Sequence, residues 1–200
     1  MALTTYAELQ TAIANWLGRS DLTTYLPDFI TLFEATANRR LRVRQMEATN
    51  TSMSFSSGSA TLPTDYLLYR RFTETADTRS ELEYVTPSYL QEAYPTTPTG
   101  TPSMFTIEGT TIKVRPTGIT TFEFDYYQKI SALSGTVNWL FSAHPDIYLF
   151  GSLVEANAFT EMPENAVLWK ARRDEIFEEI ERLDIKTKGG GRIRPVGSTP

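Results

Sequence analysis

The stretch that decides the fold is Leu26-Pro-Asp-Phe-Ile-Thr-Leu-Phe-Glu-Ala-Thr-Ala-Asn-Arg-Arg-Leu-Arg-Val-Arg44. Pro27 suits a first helical turn, and Phe29, Ile30, Phe33, Ala37 and Leu41 recur with a 3.6-residue period. From Leu41 the period becomes two: Leu41 and Val43 alternate with Arg42 and Arg44, so a helix ends near Arg40 and extended chain begins. Upstream, Thr5 and Glu8 form a capping box, Leu9, Ile13, Trp16 and Leu17 make an apolar stripe, and Gly18 is placed to close that helix. Two amphipathic helices alone bury too little apolar surface to be stable, so partners must come from elsewhere in the chain.

Those partners lie near the other end. Pro145 opens a segment whose residues Ile147 to Val154 are apolar on nearly all sides, the pattern of a central bundle helix. A last helix begins near Pro163, with Trp169, Ile176, Ile180 and Leu183 as its apolar stripe and Asp174, Glu175, Glu178, Glu179 and Glu181 facing solvent. Between the helical ends the chain reads as β. Ser56 to Ser59 mark a turn, Tyr66 to Phe72 an aromatic strand, and Phe105, Ile107, Gly109, Ile112 and Val114 a hairpin, with Phe122, Phe124 and Tyr126 on a further strand. Thr86-Pro87 opens a short helix, followed by a Pro- and Thr-rich loop over Tyr94 to Ser103.

The expected fold is α+β. Residues 1–44 and 140–185 form a helical bundle, 45–139 an inserted small antiparallel region of five or six strands, and 186–200 an extended C-terminal tail. The tail contains three consecutive glycines, Gly189 to Gly191, and no acidic residue, so it is basic and poor in core-forming side chains.

Composition narrows the chemistry. The 200 residues include no cysteine and one histidine, which excludes thiol nucleophiles, thiolate zinc sites and imidazole-rich metal centres; no metal or cofactor is expected. A net charge of -5 argues against general nucleic-acid binding, no run is long enough for a membrane span, and Met1 to Leu9 lack the pattern of a secretory signal, so cytoplasmic synthesis is expected. His144 beside Asp146 reads as a helix start, and no serine lies in a nucleophile elbow. Glu123 and Asp125 share one strand face, the spacing a glycoside hydrolase could use, yet a solvated strand gives the same pattern. Arg39, Arg40, Arg42 and Arg44 are the densest basic run; pairing with acidic neighbours, complementing a helix C-terminus and contacting phosphate all remain open for it.

Several blocks resemble one family in order and spacing. Tyr6-Ala-Glu-Leu9, Trp16-Leu-Gly-Arg19, Leu32-Phe-Glu-Ala35 with Asn38-Arg-Arg-Leu-Arg42, Ala60-Thr-Leu-Pro63, Gly100-Thr-Pro102, Phe124-Asp-Tyr-Tyr127 and His144-Pro-Asp146 through Gly151 to Glu155 are similar to tailed-bacteriophage head-to-tail adaptor proteins. The resemblance implies a non-enzymatic virion protein at the head-tail interface, assembled as a ring of about twelve copies that docks on the portal, receives tail or nozzle proteins and passes DNA without reading its sequence. On that reading Lys186, Lys188, Arg192, Ile193 and Arg194 contact the portal, and Arg39, Arg40, Arg42 and Arg44 meet Glu175, Glu178 and Glu179 of a neighbouring copy. Another connector component, a stopper or tail-completion protein, is the alternative, and a DNA-binding protein a more distant one.

Overall fold

In the computed structural model, which describes residues 3–76 and 79–187 with side chains as far as Ile185, the first helix starts as its capping box dictates. Thr5 Oγ1 accepts from the Glu8 amide while Glu8 returns a carboxylate oxygen to the Thr5 amide, opening α1 (Tyr6–Leu17), and Gly18 ends it with φ of 65°. After a short 3-10 turn comes α2 (Leu26–Arg40), with Pro27 in its first turn; Leu41 then turns extended. The chain divides into two units. One contains Met1–Gln45 with the residues from Ile130 onward, and the other is Met46–Lys129.

In the helical unit, Asn138 caps α4 (Trp139–Ala143), a helix the sequence reading did not separate, and Pro145 opens α5 (Pro145–Phe159). Last is α6 (Pro163–Thr187). Helices α1, α2, α4 and α6 all pack on α5, whose Ile147, Tyr148, Leu149, Gly151, Leu153 and Ala156 are buried. This is the centrally packed helix expected from its all-round apolar sequence. The segment from Ile130 belongs with the helices because α2 holds it: Asn38 Oδ1 accepts from the Ile130 amide at 2.8 Å and Glu34 Oε1 from the Leu133 amide at 2.7 Å.

The last helix departs from expectation in its facing. Phe177 and Ile180 are buried together with Arg173 and Asp184, whereas Leu183 is 49% exposed and Trp169 and Ile176 only half-buried. The core-facing stripe therefore lies one position round from Trp169, Ile176 and Leu183, because Arg173 and Asp184 enter it with polar partners that a hydrophobicity pattern discounts. Its end also differs: α6 continues to Thr187, so Lys186 is helical rather than part of an extended tail.

Among the described residues the second unit has seven strands, more than the five or six expected. They are β1 (Glu47–Asn50), β2 (Ser59–Thr61), β3 (Tyr66–Glu74), β4 (Glu83–Tyr84), β5 (Met104–Glu108), β6 (Thr111–Arg115) and β7 (Phe122–Gln128), with α3 (Pro87–Ala93) between β4 and β5. Two sheets form, ordered β1-β7-β3 and β2-β6-β5-β4. The strand pairs are antiparallel, as expected of this region, with one exception among the described residues: β4 with β5 is parallel. The exception has a structural reason, since the α3 crossover returns the chain in the same direction. Phe72, Phe122 and Phe124 of one sheet meet Phe105, Ile112 and Val114 of the other in a shared core, and the Phe72 and Phe105 rings sit edge-on at 5.1 Å.

Candidate docking and interface surfaces

The basic run is divided among different tasks by the turn from helix to extended chain. Arg40, in the last turn of α2, points across to α6: its Nη1 donates to Asp174 Oδ1 at 3.1 Å and its Nε to Glu181 Oε1 at 3.2 Å. Its guanidinium also lies 4.7 Å from the centroid of the buried Phe177 ring. Arg173 donates twice to the same Asp174 oxygen, at 3.0 and 3.1 Å. Arg40 is thus used within the chain, tying two helices together over an aromatic platform.

The neighbouring arginines behave differently. Arg42 donates to the Asn38 carbonyl at 2.7 Å and also to that of Leu41, complementing the C-terminal end of α2. Arg39 is exposed and donates to Thr36 Oγ1 at 2.9 Å. Arg44 is exposed, while its backbone amide donates to Asp184 Oδ1 at 2.9 Å. On α6, Glu178 and Glu179 are exposed, and Glu175 makes only a long pair with Arg172 at 3.6 Å. Within one chain, then, Arg40 meets Asp174 and Glu181 rather than Glu175, Glu178 or Glu179. Of the residues assigned to the portal, Lys186 is in α6, and Lys188, Arg192, Ile193 and Arg194 lie outside the described residues.

Reversing the charge at Arg40 is consequently a stability experiment. Arg40→Glu places a third carboxylate beside Asp174 and Glu181 and uncovers Phe177, so unfolding free energy should fall by about 1–3 kcal/mol, whereas Arg39→Glu should stay within about 0.5 kcal/mol of the parent. Urea denaturation of both variants checks this; equal effects would remove the distinction between the two arginines.

The carboxylates weighed for catalysis have other partners in the structure. Arg71 reaches both Glu123 and Asp125, at 2.9 and 2.7 Å, Arg79 lies 3.7 Å from Glu123, and Thr49 Oγ1 donates to Asp125 Oδ1 at 2.6 Å. Their oxygens serve a surface ion-pair network across the strands. His144 occupies the junction between α4 and α5 without a side-chain capping bond. Among the described residues, no group of three His, Asp or Glu side chains could hold a metal ion, and no helix is long and apolar enough to cross a membrane.

Two features were not singled out by sequence reading. One is a buried polar cluster. Glu34 Oε1 accepts from both the Leu133 amide and the Tyr148 hydroxyl, and Asn138 Nδ2 donates to Tyr148 Oη at 2.7 Å and to the Ser131 carbonyl at 2.6 Å. Burial pushes the Glu34 carboxyl above its usual value, against the two hydrogen bonds it accepts, and burial together with the Glu34 charge raises the Tyr148 phenol. The other is an open aromatic hollow of about 520 Å³ lined by Trp16, Phe150, Trp169, Ile176 and neighbouring side chains. Sequence places Trp16 and Trp169 on apolar stripes, whereas the structure leaves Trp16 53% exposed and Trp169 half-buried.

The helical unit is packed around a central α5, and the second unit is built on two sheets. The family model for the SU10 adaptor protein matches residues 4–196. The chain belongs to the SU10 adaptor protein family. No curated protein matches it. The family is one of phage structural adaptors rather than an enzyme class, which makes the protein a virion component that interacts with other virion components. As a family member it also agrees with the resemblance carried by the sequence blocks, several of which fall at structural junctions: Gly18 at a helix end, Gly100 beside Pro116, and Gly151 against Phe33.

Proposed function

We propose that this SU10-family adaptor forms a ring of about twelve copies which docks on the portal, offers the attachment surface for tail or nozzle proteins and leaves a conduit for DNA. The observation that carries this reading is the family match over nearly the whole chain. Lys186, Lys188, Arg192, Ile193 and Arg194 are the portal-contacting residues, with the arginines supplying charge-assisted hydrogen bonds and Ile193 a small apolar anchor. A ring joint brings one patch against a different patch on the next copy. Arg39 and Arg44, exposed at the end of the basic run, would there face Glu175, Glu178 and Glu179 of the neighbour, while Arg40 and Arg42 shape the surface from within. DNA passes without sequence-specific contacts, consistent with an acidic chain of net charge -5.

The decisive experiment mixes the protein with the portal ring of the same phage and images the mixture by electron microscopy, using the intact chain and a chain ending at Ile185. An added ring layer under the portal, lost with the shortened chain, is the expected result. A layer that persists would exclude the tail from docking; no layer with the intact chain would favour a later connector component, such as a stopper.

A further inference from the structure

The α6 helix carries two adjacent stripes, and only one is covered. Arg173, Phe177, Ile180 and Asp184 face the bundle, but Trp169, Ile176 and Leu183, spaced by seven, form a second apolar line that remains half-buried or exposed. This line runs into the hollow, where Phe150 and Trp169 stack at 5.7 Å with an interplanar angle of 6° and Trp16 sits edge-on to both, at 5.9 and 5.3 Å. Trp16 is 53% exposed and Leu168 51% exposed, so the aromatic cluster is an open surface.

Charge and reach identify an occupant. Asp146 lines the hollow and Glu179 lies on the helix face leading to it; neither has an ion-pair partner among the described residues, and the local cation Arg172 is already beside Glu175. The chain beyond Thr187 contains Lys188, Arg192 and Arg194, no acidic residue, and the apolar residues Ile193, Pro195 and Val196. From Thr187 the helix measures about 16 Å back to Ile176 and about 27 Å back to Trp169, at ~1.5 Å per residue. Arg192 and Val196 stand five and nine residues past Thr187, and extended chain of those lengths spans about 17 and 31 Å. Val196 therefore reaches the aromatic end of the hollow, while Arg192 and Ile193 reach the Ile176 region. Gly189 to Gly191 offer the backbone freedom that a reversal requires.

We propose that in the free protein residues 192–196 fold back along the Trp169, Ile176 and Leu183 line of their own subunit and seat in the Trp16, Phe150 and Trp169 hollow. Val196 covers the aromatic faces, Ile193 packs along Leu183 and Ile176, and Arg192 and Arg194 meet Glu179 and Asp146. A consequence, that the portal must displace this segment before the tail can dock, rests on the docking role proposed above. The fold-back itself is measured without a portal, so the two readings fail separately.

The chain has no cysteine, so Ser198→Cys in the full-length protein gives one attachment point for a nitroxide. Three indole N–H signals, from Trp16, Trp139 and Trp169, report in a nitrogen-15 NMR spectrum. The nitroxide should broaden the Trp16 and Trp169 signals more than that of Trp139. Adding Arg192→Glu, Ile193→Ser and Arg194→Glu to the same chain should abolish that difference, while an otherwise unchanged amide spectrum shows that the bundle is still folded. Uniform or absent broadening overturns the proposal. So does broadening that appears when unlabelled nitrogen-14 chains carrying the nitroxide are mixed with nitrogen-15 chains lacking it, because the segment then sits on another copy.

Discussion

Gly151→Ala should destabilise the helical unit by about 2–3 kcal/mol, although alanine is the better helix former by about 1 kcal/mol. A β-carbon at Gly151 would lie 2.0 Å from Phe33 Cδ2 and 2.4 Å from Cε2, far inside contact distance. The ring has nowhere to retreat. Phe33 is fully buried, edge-on to Tyr148 at 4.9 Å and beside Phe177 at 6.2 Å, so moving it disturbs the packing of α2, α5 and α6 at once. Phe33→Ala alone should cost about 3–5 kcal/mol by leaving a cavity. Combined with Gly151→Ala it removes the clash, so the double variant should be more stable than the sum of the single effects implies. Urea denaturation followed by tryptophan fluorescence is suitable, since all three tryptophans belong to the helical unit. A rise in stability for Gly151→Ala alone would show that the two helices do not meet at this glycine.

Much of the fold was written in local signals. The Thr5 and Glu8 pair, Gly18 and Pro27 are short-range devices whose effect is complete within one helical turn, and each acts where it was read. Alternation was equally informative at Ile112 and Val114, which are buried while Thr111, Lys113 and Arg115 are less so. Legibility ended where a segment depends on distant partners. The two-residue strand β4 offers too few positions to show any period, and its parallel pairing is set by where α3 returns the chain. On α6 the expected stripe holds at Ile180 but not at Trp169, Ile176 and Leu183, because Arg173 and Asp184 take the buried positions with polar partners.

The surfaces were legible to a smaller degree. Four arginines clustered at a helix end leave pairing and helix-end complementation both open; Arg40 pairs and Arg42 complements the helix end, and sequence could not choose Asp174 and Glu181 over Glu175, Glu178 and Glu179 on the same helix. That choice depends on the rotation of α6 about its axis, which follows from Phe177 and Ile180 being turned inward. The same rotation leaves Trp169 at the open hollow. A heptad-spaced apolar line on an acidic helix therefore had two meanings, core or docking surface, separable only once its neighbour Phe177 was located.

Glu34 provides the second large effect, and here charge and hydrogen bonding can be separated. Its Oε1 alone accepts both the Leu133 amide and the Tyr148 hydroxyl, so glutamine preserves both bonds whereas leucine strands two buried donors. Glu34→Leu should therefore cost about 2–5 kcal/mol, and Glu34→Gln less than about 1 kcal/mol near neutral pH. The pH dependence has a definite sign. Burial raises the folded-state carboxyl above the unfolded value, so the folded chain holds this proton more tightly. The resulting stabilisation is fully present below the usual carboxylate pKa of about 4.3 and is lost as pH rises through the raised folded value. Glutamine cannot titrate, so stability measured from acid towards neutral pH should decline relative to Glu34→Gln in the parent protein only. Parallel curves would mean that Glu34 is not desolvated in the fold, and a leucine variant as stable as the glutamine one would mean that the 130–138 segment is held by something other than this carboxylate. Because Asn38 and Glu34 are one turn apart on α2 and both hold backbone amides of that segment, the path of residues 130–138 within the helical unit is set by two side chains of one helix.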